Sequence, residues 1–427
     1  MSRIVVIGAG AMGLAAAHRA VQLGHEVDLI EADSVAGGMA AHFDFGGLSI
    51  ERFYHFVCKS DEPTFALMRE LGIGDKMRWR STSMGYFMKG RVHPWGDPIS
   101  LLRFPHLSLI AKIRTGLQMF LTTKTSNFAS IEHKTARQWL EGGSGKEVYN
   151  TLWRRLMDLK FYELADDISA SWIATRVRRI GNSRRSIFQE ELGYIEGGSQ
   201  TLVDALVSAY TAKGGRLHLS TPAEKVETEN GRVTGATAGG RFFPADAVIS
   251  TIPTPLISGL VPDLPAASKA KYDAIRNIGV VCLLFKLKKS ISRNFWVNIV
   301  DESIEIPGLI EFSNLRPVSD TIVYVPYYMP VTQPKWQWSD QQFIEEAFGY
   351  IRRVNPHITQ ADLVDAKVGR LKYAQPVCEP DFLDKLPPIQ TAIDGLQIAD
   401  TCYYYPEDRG IAESVRYGRK MAEAVTR

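Results

Sequence analysis

The sequence predicts an α/β fold: a Rossmann-type dinucleotide-binding domain, discontinuous along the chain, with an inserted α+β substrate domain. Three observations predict it. A complete β-α-β unit opens the chain, and a strand followed by a helix closes it. Between these ends the patterning changes, to helices over much of 99–190 and to strands over 278–330.

The opening unit spans residues 3–31. Ile4-Val5-Val6-Ile7 is a short, fully apolar run of the kind a parallel strand carries when both its faces are buried. Gly8-Ala9-Gly10-Ala11-Met12-Gly13 follows at once, and an alanine-rich helical pattern then runs to Leu23 and stops at Gly24. Residues 26–30 alternate as a second strand and lead into Glu31. The G-x-G-x-x-G spacing thus lies between strand and helix, with an acid 21 positions after Gly10, which is the setting in which it binds a dinucleotide. Gly8 permits the tight turn, Gly10 lets the backbone approach a pyrophosphate, and Gly13 lets helix and strand pack closely. The helix N-terminus offers unpaired N–H groups to the phosphates. Glu31 can accept both hydroxyls of a ribose, which disfavours a 2′-phosphate and hence NADP. The spacing itself serves NAD and FAD alike.

Further along, 62–80 and 99–190 read as mainly helical. Residues 199–213 form a helix with Leu202, Ala205, Leu206, Ala209 and Tyr210 on one face. Strands follow over 216–251, with a hairpin about Asn230-Gly231. Residues 280–287 and 321–328 are strands, 339–354 is helical, and a strand at 396–399 leads through an aromatic turn to a helix from about Gly410. These elements divide the chain into a cofactor domain of 1–80, 190–255 and 375–427 and a substrate domain of 81–189 and 256–374.

Composition narrows the classes. With 427 residues, Lys+Arg 50 against Asp+Glu 47 leaves a net charge of +3, which argues against a nucleic-acid partner. The 19 Phe, 16 Tyr and 8 Trp demand burial and exclude a disordered scaffold. Cys58, Cys282, Cys378 and Cys402 are scattered without C-x-x-C or metal-ligand spacing, so a reduced, cytoplasmic chain without a metal is expected. The longest apolar runs fall well short of the ~20 residues a membrane span needs.

The chain resembles the FAD-dependent amine oxidase superfamily, and within it the protoporphyrinogen-oxidase-like branch of NAD(P)/FAD-dependent oxidoreductases. The carrying segments are VVIGAGAMGLAAA, the Glu31…Gly37-Gly38 pair, IERFYHFVCKSD at 50–61, LGYIEGGSQTLVDAL at 192–206, DAVISTIP at 246–253, YAQPVCEP at 373–380 and YYYPEDRGIAESVRYGR at 403–419. They span essentially the whole chain. The resemblance implies non-covalent FAD and hydride transfer from an organic small molecule to flavin N5. It implies that Gly8, Gly10, Met12 and Gly13 lie at the pyrophosphate, with Glu31 and Ala32 at the adenosine ribose. Gly38 and Met39 would pass under the diphosphate and ribityl chain, and Val226 would meet adenine through its backbone. Gly410, Ile411 and Ala412 would aim N–H groups at the flavin pyrimidine edge, where a reduced flavin carries negative charge.

Two departures matter. Where many relatives place Gly then an acid after the last strand, the pair here is Asp400-Thr401, displacing the ribityl-binding acid by one position. Amine oxidases also carry a lysine near flavin N5, whereas the equivalent position here is near Val281-Cys282 and Lys286 and Lys288 come later. That weakens an amine-oxidase reading.

Tyr54-His55-Phe56 falls where the related UDP-galactopyranose mutases carry a histidine-bearing loop, so Tyr54 and His55 are candidates for flavin contact or proton transfer. The alternative is a histidine satisfied in a packed loop. Tyr403, Tyr404 and Tyr405 either wall the isoalloxazine or are core. Asp408-Arg409 is either an internal pair holding the turn or a contact to flavin or substrate, which makes Arg409 the third catalytic candidate. Cys402 is a small buried thiol or, less simply, a thioether link to the flavin. Arg176, Arg178, Arg179, Arg184 and Arg185 form either a solvated helix face or a diphosphate-binding patch. Residues 101–123 are apolar with interspersed cations and fit either a buried helix pair or a helix lying on a membrane surface as a peripheral contact. The expected substrate is a phosphate-bearing sugar or an isoprenoid-type molecule, with a flavin-dependent sugar mutase or an amine oxidase as alternatives.

Overall fold

Two sheets of different construction organise the protein, whose computed structural model describes residues 1–425. The first is parallel. Its strands lie in the order Arg216–His218, Glu26–Ile30, Arg3–Ile7, Ala247–Ser250, Leu396–Ile398. Every neighbouring pair runs parallel, which requires the long crossovers between these distant segments. The apolar run of the opening strand is buried on both faces: Ile4 and Val6 join one core, Val5 and Ile7 another. Helix Ala11–Gln22 packs on this sheet and against the last helix, Ile411–Val425. The two helices touch closely at Gly418, where a Cβ would come 2.2 Å from the Met12 carbonyl oxygen. The end of the chain is thereby brought to its beginning.

A three-stranded antiparallel sheet, Ala223–Glu229, Arg232–Ala238 and Arg241–Pro244, sits beside the parallel one. Its first hairpin turns at Asn230 and Gly231, with φ of 51° and 76°, the positive pair that lets a tight turn follow the strand twist.

The second large sheet has seven strands, in the order Leu363–Pro376, Asn277–Leu287, Thr321–Met329, Gly308–Glu311, Trp296–Ile299, Met84–Met88, Arg91–Trp95. It is antiparallel except where Trp296–Ile299 meets Met84–Met88. Period-two alternation along 280–285 divides its faces: Val281, Leu283 and Phe285 pack under helix Asp340–Val354, whereas Val280, Cys282 and Leu284 turn to the core shared with the parallel sheet.

Three stretches differ from the sequence expectation. Residues 77–80, read as helical, lie in strand Met77–Thr82, paired antiparallel with Gln189–Ile195, which itself begins inside a supposed helical region. Arg78 and Arg80 alternate with Met77, Trp79 and Ser81, so period two prevails over a short helical pattern. Arg91–Trp95 holds Pro94 at the sheet edge, where a missing N–H costs no ladder bond. Leu363–Pro376 was not expected as a strand because, as the opposite edge, it mixes charged and apolar residues along its length. Among the described residues no helix is long and apolar enough to cross a membrane.

Candidate functional site

A cavity of about 1640 Å³ runs from the C-terminal ends of the parallel strands, past the seven-stranded sheet, to helices Leu109–Lys124 and Ala170–Asn182. Ordinary small-molecule sites measure roughly 300–1,000 Å³. This one has room for a dinucleotide and a substrate together.

At the parallel-sheet end the walls are turns. Gly8 adopts φ +97°, and Gly37, at φ +115°, donates its N–H to the Ala9 carbonyl at 2.8 Å. A Cβ on Gly13 would lie 1.8 Å from the Gly8 carbonyl oxygen, so only glycine lets the helix start against the turn. A Cβ on Gly10 would meet nothing within 4 Å, because its open side is the cavity. No side chain caps helix Ala11–Gln22 and its first turn has no acid, which leaves its N–H groups for an anion. Glu31 is gripped by backbone: its carboxylate accepts from Ala9 N at 2.7 Å and Asp33 N at 2.8 Å. Asp400 is held the same way, by Thr254 N at 2.7 Å and Cys402 N at 2.8 Å. Both carboxylates line the cavity and keep lone pairs for hydroxyls. These features fit FAD: a turn and helix start for its pyrophosphate and an oriented acid at each end for its sugar hydroxyls.

Gly10, Met12, Ala32, Gly38, Met39, Gly410 and Ile411 also line the cavity. Ala412 and Val226 do not. Ala412 is buried beneath the first turn of the last helix, and the Val226 side chain belongs to the core of the small antiparallel sheet, paired with Ala236. Pro222 and Ala223 form the cavity wall on that strand. Arg52 lines the cavity and is ion-paired with Asp33; it lies in the 50–61 segment but was not singled out there.

In the middle section Tyr54 and His55 both reach the cavity. His55 Nδ1 bonds the Phe53 carbonyl at 2.7 Å, and burial lowers its pKa, favouring the neutral ring. Burial and the neighbouring Tyr328 raise the Tyr54 phenol well above its ordinary value. Tyr54 packs edge-on to Trp296 and Tyr324, at 5.4 and 5.6 Å between centroids. Arg409 donates to the Ala374 carbonyl and lies 3.4 Å from the Tyr328 hydroxyl. It does not pair with Asp408. That carboxylate binds Arg176 at 2.7 Å, across 232 residues, so the expected internal Asp408-Arg409 pair is replaced by a long-range one. Asp408 Oδ1 is buried without a hydrogen-bond partner and lines the cavity. Burial alone would raise this carboxyl, yet Arg176, Lys160, Arg409 and Arg179 hold it below its ordinary pKa.

The expected position near Val281-Cys282 places Cys282 on the wall; Lys286 instead pairs with Asp320 at 3.2 Å. A different lysine reaches the cavity. Lys160, from helix Arg154–Phe161, makes no hydrogen bond or ion pair among the described residues, and its Nζ lies over Trp172 and Tyr328 at 5.1 and 4.8 Å from the ring centroids. Burial, then Arg176 and Arg409, push its pKa well below the ordinary lysine value. No sequence signal marks it, since its neighbours come from segments remote in the chain.

The arginine run divides. Arg176 binds Asp408, Arg178 binds Glu407, and Arg179 forks onto Asp61 at 2.7 and 3.0 Å, so these three are not free for a phosphate. Arg184 donates to the backbone carbonyls of Gly96, Ser186 and Ile187, and Arg185 is exposed. Of the three tyrosines only Tyr404 lines the cavity; the hydroxyls of Tyr403 and Tyr405 bond Pro387 and Glu132 in the core. Cys402 is fully buried off the cavity, and burial raises its thiol pKa well above the usual range.

A family model described as flavin containing amine oxidoreductase matches residues 13–399. A 15-cis-phytoene desaturase of Glycine max is 22% identical over 99% of this chain and 79% of its own length. Among solved structures, a reduced UDP-galactopyranose mutase superposes with TM-score 0.76 at 15% identity, covering 100% of this chain and 96% of that one. A candidate protoporphyrinogen oxidase from Exiguobacterium sp. 255-15 gives 0.74 at 17% identity, covering 99% and 98%.

Proposed function

The chain belongs to the flavin-containing amine oxidoreductase family and is an FAD-dependent oxidoreductase; from that premise we propose that it oxidises a long, apolar, isoprenoid-type molecule. One observation carries the reading: beyond the cofactor cleft the cavity continues between helices, walled by Leu101, Met119, Leu156, Met157, Ile173 and Ile180. The relative named for 15-cis-phytoene acts on an isoprenoid hydrocarbon, in keeping with such a channel.

In this reading segments 1–80, 190–255 and 375–427 hold the cofactor, and 81–189 and 256–374 hold the substrate. Gly8, Gly10, Met12 and Gly13 bind the pyrophosphate and Glu31 and Ala32 the adenosine ribose, while Val226 contributes backbone alone toward the adenine. Gly38, Met39 and Asp400 run along the ribityl chain, and Gly410 and Ile411, with the Ala412 backbone N–H, hold the pyrimidine edge. Bound FAD supplies a hydride acceptor at N5. Desaturation of a C–C bond also releases a proton; Lys160 Nζ lies on the same cavity with its pKa pushed well below the ordinary lysine value by burial, and in its neutral form it would accept that proton. Tyr54, His55 and Arg409 line the same cavity and are the candidates for contact with flavin or substrate. The four cysteines, all buried and unpaired, suit a reducing, cytoplasmic compartment.

The test is anaerobic mixing of oxidised holoenzyme with panels of polyprenyl compounds, sugar nucleotides and amines while the flavin visible band is followed. Bleaching by polyprenyl compounds is the expected result, and bleaching by amines alone refutes it. The Tyr54-His55 loop supports a second reading, a sugar-ring mutase. Isomerisation of a sugar nucleotide only after dithionite reduction would establish that one instead.

A further inference from the structure

Helix Leu109–Lys124 is amphipathic the wrong way round for a globular protein. Its buried residues are the small or polar Ala111, Thr115 and Thr122. Its bulky apolar residues, Leu109, Ile110, Ile113, Leu117, Phe120 and Leu121, are all more than half exposed, Ile110 reaching 72%. At 3.6 residues per turn these six fall within an arc of roughly 120°, a continuous apolar stripe facing outward. Two neighbours extend the apolar surface: Leu102, at 58% exposure, from helix Pro98–Arg103, whose packing against this helix places it alongside, and the turn Ile187-Phe188.

Charge identifies what covers it. From residue 98 to 131 the chain has no Asp or Glu, while Arg103, Lys112, Arg114 and Lys124 supply four cations. None of these four pairs with a carboxylate among the described residues; Lys112 and Arg114 donate only to backbone carbonyls. A second copy of this face would oppose like charges, whereas an anionic bilayer surface would complement them. The cavity wall also reaches the surface here: Phe120 and Ile187 line it and are 59% and 66% exposed.

We propose that helix Leu109–Lys124 and the Ile187-Phe188 turn lie in the headgroup region of an anionic lipid bilayer, with this end of the cavity against the membrane. A substrate dissolved in the bilayer then reaches the cavity without crossing water. The docking surface stands on its own geometry; its use for substrate delivery rests on the function proposed above.

The experiment is flotation of purified holoenzyme with vesicles of phosphatidylcholine containing phosphatidylglycerol, without substrate, for the native chain and an Ile110→Asp/Ile113→Asp variant. Neither position lines the cavity, and retained flavin content and detergent-dispersed activity verify folding. The native chain is expected to float, more weakly in high salt and with pure phosphatidylcholine, and the variant to lose at least tenfold in bound fraction. No flotation of the native chain, or equal flotation of the variant, overturns the proposal. So does a native dimer that the variant converts to monomer without vesicle binding, which would make the stripe a subunit interface. Flotation as expected, with no polyprenyl oxidation from vesicles or detergent, would reject the function and leave the docking surface standing.

Discussion

The two ends of the cavity are built by opposite means. At the parallel-sheet end, acids are oriented by backbone amides: Glu31 by Ala9 and Asp33, Asp400 by Cys402 and, across 146 residues, by Thr254. In the middle section, charges are oriented by other charges from far along the chain, Arg176 with Asp408 and Arg179 with Asp61. The first end is therefore a preformed binding surface whose parts can be changed one at a time. The second is a network in which removing one member strands another in a poorly solvated place.

The sharpest way to break the first end is steric. Gly13→Ala would force a Cβ against the Gly8 carbonyl at 1.8 Å, and the expected outcome is protein that folds poorly and purifies without flavin, read from the ratio of visible to ultraviolet absorbance. Normal flavin content in that variant would show that the turn can open.

Next in size, Arg179→Met leaves the Asp61 carboxylate, 8% exposed, with only the Cys58 N–H and no countercharge. A loss of about 3–5 kcal/mol in urea unfolding is expected, the scale of breaking a buried pair. A loss below about 1 kcal/mol would mean that water already serves Asp61.

Glu31→Ala tests the modular end. FAD binding should weaken by about 1.5–3 kcal/mol, the range for hydrogen bonds to a charged group, with the flavin potential nearly unchanged. Equal affinity in the two proteins would place the ribose elsewhere.

The smallest effect is the pH response of Lys160. Because its folded pKa is depressed, the unfolded chain binds the extra proton between that value and 10.5, so native stability falls as pH drops through this window. Lys160→Met should flatten that limb and slow substrate-dependent flavin bleaching about tenfold, or about 1.4 kcal/mol. An unchanged rate and an unchanged pH profile would remove Lys160 from the chemistry.

The same contrast explains what could be read in advance. The glycine turn, Glu31, the hairpin at Asn230-Gly231 and the final helix were legible because each is a local pattern within a few residues of chain. Lys160 and the acids that fill the arginine forks were not, since their partners lie far away in sequence. The edge strand Leu363–Pro376 escaped for a related reason: pairing on one side only leaves it a mixed pattern.

By itself, then, the sequence determined a dinucleotide-binding α/β unit at the chain's two ends, because tight turns and helix starts obey short-range sterics and backbone hydrogen bonding. Tertiary structure alone decided the character of the rest. It tied Arg176, Arg178 and Arg179 into internal ion pairs and set a half-buried lysine against aromatic rings. It also left the apolar side of helix Leu109–Lys124 facing outward. Periodicity announces an amphipathic helix, but which side is buried depends on what the rest of the chain packs against it.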